Sequence, residues 1–159
     1  MSMKTIDKDL QSIKYNAFSL APLLLSFFKE CQVSNDNVLL AYLVLPLIYS
    51  EKWSCMNYRI NSNSDIRNWI VQDKMPTNGL TERMYFFRDF TTTVLQYCFD
   101  RKWAVLDSNN NVKVRNIKEW DKPTDTTVKY ASKINNLFHG MSVAQIYSSL
   151  GIDKLCLHV

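Results

Sequence analysis

The sequence predicts a mainly α fold with one β-hairpin, winged-helix-like in the order of its elements. Three observations carry this expectation. The 159 residues hold only three glycines and four prolines, too few to punctuate many short strands. Two stretches, "AFSLAPLLLSFF" and "VLLAYLVLPLIY", are apolar enough to be buried helices. One segment, "RKWAVLDSNNNVKVR", is the only clear strand pair.

Taken in order, residues 1–14 read as a polar lead-in and 15–159 as one helical domain of ordinary size. A first helix is expected from Asn16 to Gln32, with Asn16 as its cap and Pro22 bending its early turns. It is apolar nearly all round, at Leu20, Leu23, Leu24, Phe27 and Phe28, and so belongs at the centre. A second helix spans about Val38 to Ser50, kinked by Pro46. Residues 51–63 read as an irregular connector, and "NSDIRNWIVQ" as a short helix capped by Asn63 or Ser64.

A long helix follows from Leu80 to Phe99, with Met84, Phe87, Thr91, Val94, Leu95 and Cys98 along one side. Trp103, Val105, Val112 and Val114 then flank a Ser-Asn-Asn-Asn turn. "NIKEWDKPTD" reads as a loop and Thr126 to Phe138 as a helix. In "HGMSVAQIYSSLGI", Ser142 and Gln145 have capping-box spacing, Met141 and Ile146 staple the start, and Gly151 ends the helix. The tail "KLCLHV" alternates weakly, as a short strand does.

The formal net charge of +4 is far below that of a dedicated basic DNA binder. Cys31, Cys55, Cys98 and Cys156 are widely spread, and His158 finds no second ligand pair, so no metal site is expected. Cys31 and Cys98 fall on apolar helix faces as small core residues, which suits a reducing cytosol. The start of the chain carries acidic residues and no apolar run, so no signal peptide is expected. Both greasy stretches are too short to cross a bilayer.

A catalytic role is not expected. The two histidines, His139 and His158, lie in a turn and in the tail, and no phosphate loop, HExxH or GxSxG motif is present. Asp89 beside Arg88 reads as a surface ion pair.

Residues 63–115 follow the order short helix, turn, long helix, hairpin, which is that of a winged helix-turn-helix. The helix at 142–150 cannot be its recognition helix, because the hairpin precedes it. The long helix offers Glu82 and Arg83 near its start, but Met84, Tyr85, Phe86 and Phe87 follow at once. Base reading wants polar donors there, whereas an aromatic run wants burial against protein. The hairpin charges Arg101, Lys102, Lys113 and Arg115 are candidates for contact with a partner or a DNA backbone, and the aromatic run favours the partner.

"YNAFSLAPLLLSFFKEC", "LLAYLVLPLIYS", "SDIRNWI", "RDFTTTVLQYCFDRKW" and "IYSSLGI" occur in that order. Together they resemble the middle component of bacterial ABC-three-component systems, to which Lamassu-type defence systems belong. The likeness spans about residues 15–152, and the Leu-Val-Leu-Pro-Leu run with its later Trp-Ile helix is its most specific part. The resemblance implies a non-catalytic adaptor without cofactor. It would dock on an SMC-like ABC ATPase and link it to a nuclease-type effector, in defence against phage or plasmids. It would act in the cytoplasm, away from membranes, and meet double-stranded DNA only through the complex. Trp53, Tyr58, Trp69 and Trp120, in or near loops and short helices, are the candidate interface aromatics. The rival expectation is a free-standing winged-helix DNA-binding regulator.

Overall fold

The computed structural model of the chain describes residues 16–115, 117–120 and 126–152. The lead-in at 1–14, the tail strand expected at 154–159, Cys156 and His158 lie outside the described residues.

Helix α1 (Ala17–Glu30) begins where the Asn16 side chain accepts from the Ser19 N–H at 2.9 Å, the cap the sequence predicts. All of 20–28 is buried. A 3-10 turn at Asn37–Leu40 leads directly into α2 (Ala41–Ile48), so the second greasy stretch is helical with a tighter first turn.

The connector expected at 51–63 is instead ordered into α3 (Glu51–Met56) and a 3-10 turn at Asn57–Arg59. Its start follows from Ser50, whose hydroxyl accepts from Trp53 N–H at 3.2 Å and donates to Leu47 O at 2.7 Å. Helix α4 (Ile66–Val71) is capped by Asp65, not by Asn63 or Ser64. The carboxylate takes Arg67 N–H at 2.7 Å and Asn68 N–H at 3.3 Å, and an acid suits a helix N-terminus better than a neutral side chain does.

Gly79, at φ +67°, turns the chain into the long helix α5 (Leu80–Asp100). Strands β1 (Ala104–Leu106) and β2 (Val112–Val114) pair antiparallel, with Val105 opposite Lys113. The expected loop after them contains a single helical turn, α6 (Ile117–Trp120). Helices α7 (Thr126–Leu137) and α8 (Val143–Ser149) complete the described chain. At α8 the capping box is formed in both directions: Ser142 Oγ accepts Gln145 N–H at 3.2 Å, and Gln145 Oε1 accepts Ser142 N–H at 2.9 Å.

Helix α1 is enclosed because α7, α5, α2 and β2 all pack on it. Ser26 Oγ donates to Val128 O at 2.9 Å and Asn135 Nδ2 to Phe27 O at 2.8 Å, two polar ties across the α1–α7 seam. Helix α5 lies against both α1 and α2 and buries Leu80, Met84, Phe87, Thr91, Val94, Leu95 and Cys98. Helix α4 rests on α8, and α8 is tied back by Tyr147, whose hydroxyl donates to Leu39 O at 2.6 Å. The result is mainly helical with one two-stranded hairpin, and its element order over 63–115 is compatible with a winged-helix-like arrangement.

Candidate functional site

The hairpin is held at its root by two indoles. Trp103 Nε1 donates to the Glu119 carboxylate, and Trp120 Nε1 donates to Arg115 O at 3.1 Å. These bonds dock α6 under the strands and explain why the expected loop is a helical turn. The Tyr97 ring meets Trp103 edge-on at 5.6 Å. The Arg101 guanidinium lies 5.3 Å from the Tyr97 centroid and 5.9 Å from that of Trp103.

All four predicted hairpin cations are exposed. Lys102 follows Arg101 in a left-handed conformation at φ +59°, which reverses the chain out of α5. Lys113 stands on β2 and Arg115 at its end. Arg101 caps the C-terminus of α5, so the structure places Arg101 at the hairpin root and Lys113 and Arg115 on and just after β2.

The tip is fixed as well. Asp107 Oδ1 accepts the Asn109 and Asn111 N–H groups at 2.9 Å each. The Asn111 N–H above all, with those of Asn109 and the Asn111 side chain and the nearby Lys113 charge, holds this carboxyl below its usual range. The turn is latched to the α1–α2 connection. Asn110 Nδ2 donates to Asp36 Oδ1 at 2.8 Å, Val112 N–H to Asn37 Oδ1 at 2.8 Å, and Asp36 N–H to Asn109 O at 2.9 Å. A wing that enters a groove needs a free tip, and this one is used internally.

Three of the four predicted interface aromatics are core residues. Trp53, Trp69 and Trp120 are 3%, 8% and 2% exposed, which corrects the expectation that they lie at the surface. Short helices and turns place them, but each indole is large enough to fill the space beneath its own turn. Tyr58 alone is exposed, at 59%, with the Arg59 guanidinium 5.4 Å from its ring. The outward aromatics that sequence reasoning missed as surface include Tyr85 and Phe86 on α5, 61% and 41% exposed, and Phe18 on α1, 58% exposed. Their neighbours Met84 and Phe87 are buried, as the 3.6-residue period requires.

Arg83 is not available to a ligand. Its guanidinium donates to Pro46 O at 2.9 Å, Asn78 O at 2.8 Å and Pro76 O at 2.6 Å, and burial lowers its pKa. Arg88 and Asp89 form the expected surface pair at 3.5 Å. Cys98 is buried as expected, and burial pushes its thiol up to about 12. Cys31 is only half-buried and Cys55 is exposed. Among the described residues no group of three or more His, Cys, Asp or Glu is placed to hold a metal ion, and no helix is long and apolar enough to cross a membrane.

Fold and surface together define a small helical protein with a clamped basic hairpin and an aromatic outer helix face. Residues 4–154 match the family model of the ABC-three component (ABC-3C) system Middle Component 3, and the chain belongs to that family. No curated protein and no solved structure matches it.

Proposed function

We propose that the chain is the non-catalytic adaptor of its three-component system. In this reading it docks on an SMC-like ABC ATPase and links it to a nuclease-type effector in Lamassu-type cytoplasmic defence against phage or plasmids. The observation that carries the reading is family membership across 4–154: a middle component has partner subunits within its system.

The exposed aromatics support docking. Tyr85 and Phe86 present large rings on the outer side of α5, and aromatic side chains are favoured anchors of protein interfaces. The ends of α5 are pinned by Arg83 and by the hairpin root, so little ordering is left for the moment of binding. Arg83, the donor a DNA-reading helix would offer at its start, is consumed internally, which counts against the free-standing regulator.

Co-expression with the ABC ATPase of the same system, followed by size exclusion, tests the reading. A stable complex is expected, weakened at least about tenfold by Tyr85→Ala with Phe86→Ala, since interface anchors typically contribute ~2 kcal/mol or more. Separate elution at micromolar concentration would refute it. So would nuclease or hydrolase turnover by the purified chain that a point substitution abolishes.

A further inference from the structure

The antiparallel register places Lys113 opposite Val105, and the Arg115 N–H donates to Trp103 O one step further along. Alternate residues of a strand share a face, so Lys113 and Arg115 project on the side of Val105 and Trp103, about 7 Å apart along β2. Arg101 reaches the same corner by stacking on Trp103 and Tyr97. Three exposed cations therefore converge on one face of the hairpin.

The carboxylates nearby accept from neutral donors and keep their charge, and Asp107 also feels the Lys113 charge. Asp100 takes the Gln96 side-chain amide at 2.7 Å, Asp107 closes its own turn, and Glu119 takes the Trp103 indole. Lys52–Asp73 and Arg88–Asp89 are ion pairs among the described residues, and neither uses Arg101, Lys113 or Arg115.

The same face lacks an exposed apolar anchor. Leu106, the exposed aliphatic residue of the strands at 46%, belongs to the opposite face, and Trp103 is buried at 6% beneath Arg101. A protein interface draws most of its affinity from such anchors, whereas a phosphate backbone asks only for charge and donors. The stacked guanidinium is already oriented, and the strand positions are fixed by the latched tip.

We propose that Arg101, Lys113 and Arg115 form a contact site for a nucleic-acid phosphate backbone, weak in the isolated chain and sequence-independent. The site goes beyond the adaptor reading and uses a different surface from Tyr85 and Phe86. Its test needs this chain alone, so its failure leaves ATPase docking untouched.

The test is fluorescence anisotropy of a short labelled duplex with the full chain, titrated across salt. Three contacts predict a log–log salt slope of about −2.7. Lys113→Gln with Arg115→Gln should reduce the slope to about −0.9 and the low-salt affinity by at least about tenfold, with an unchanged melting temperature. Lys113→Gln alone, which leaves the Arg115 end of the hairpin intact, should remove about one unit of slope. Leu106→Ser, on the other face, should bind as wild type. No duplex binding at low salt, or an unaltered slope in the double variant, overturns the proposal. Equal binding of poly-glutamate, lost with the same substitutions, overturns it in favour of an acidic protein segment.

Discussion

Arg83 of α5 donates from Nε to the carbonyl of Pro46 at 2.9 Å, so one guanidinium joins the second greasy helix to the turn that precedes α5. The same group holds Asn78 O and Pro76 O. Arg83→Ala strips three carbonyls of their donor and should cost about 1–3 kcal/mol in urea unfolding. Arg83→Lys should recover less than half of the loss, because a single ammonium cannot reproduce the planar fork. Full recovery by lysine would show that charge, and not the fork, is what matters there.

Thr91 makes the opposite prediction. It is fully buried in α5 and its hydroxyl has no partner, whereas Thr92 and Thr93 donate to the carbonyls of Arg88 and Asp89 at 3.0 and 2.9 Å. Replacing an unsatisfied buried hydroxyl by a methyl removes a desolvation penalty. Thr91→Val should therefore leave stability unchanged or raise it by up to about 1 kcal/mol. A loss above about 1 kcal/mol would mean that the hydroxyl is satisfied in solution.

Leu24 of α1 and Leu43 of α2 are 1% and 0% exposed. Leu24→Ala or Leu43→Ala leaves a cavity in a packed interior and should cost about 2–5 kcal/mol. A melting temperature unchanged within error would show that these helices are not the centre of the fold.

Alkali should destabilise the protein through its buried thiol and phenol. Cys98 has its pKa raised from 9.0 to about 12, and Cys31 and Tyr147 are pushed up by burial as well. Above pH 9.0 the unfolded chain gives up the Cys98 proton while the native chain keeps it. The native state then binds more protons, so stability falls as pH rises, by up to about 1.4 kcal/mol per unit for each group. Below pH 9.0 this contribution is fully present. Cys98→Ala should flatten the alkaline slope by nearly one proton. An unchanged slope in urea titrations would place the titration elsewhere.

The helices were legible because their signals are local. Asn16, Ser142 and Gln145 cap within three residues of themselves, and the apolar stretches of α1 and α2 announce burial without any partner being named. The start of α3 was also legible in principle, since Ser50 followed by Glu51 is a helix-start pair that the irregular-connector reading passed over. The hairpin latch was not, because Asp36 and Asn110 meet across 74 residues of sequence. The tryptophans misled for a related reason. Position near a turn says where the backbone runs, but whether an indole fills the core depends on what other elements bring beneath it. On α5, period alone separates buried Phe87 from exposed Phe86, yet an unbroken run of aromatics hides which rings face outward.

The adaptor claim is tested most directly by reconstituting the system from its parts. The effector should co-purify with the tagged ABC ATPase when this chain is present, and be lost from it when the chain is omitted or carries Tyr85→Ala and Phe86→Ala. An effector that binds the ATPase equally well without the chain would contradict the account.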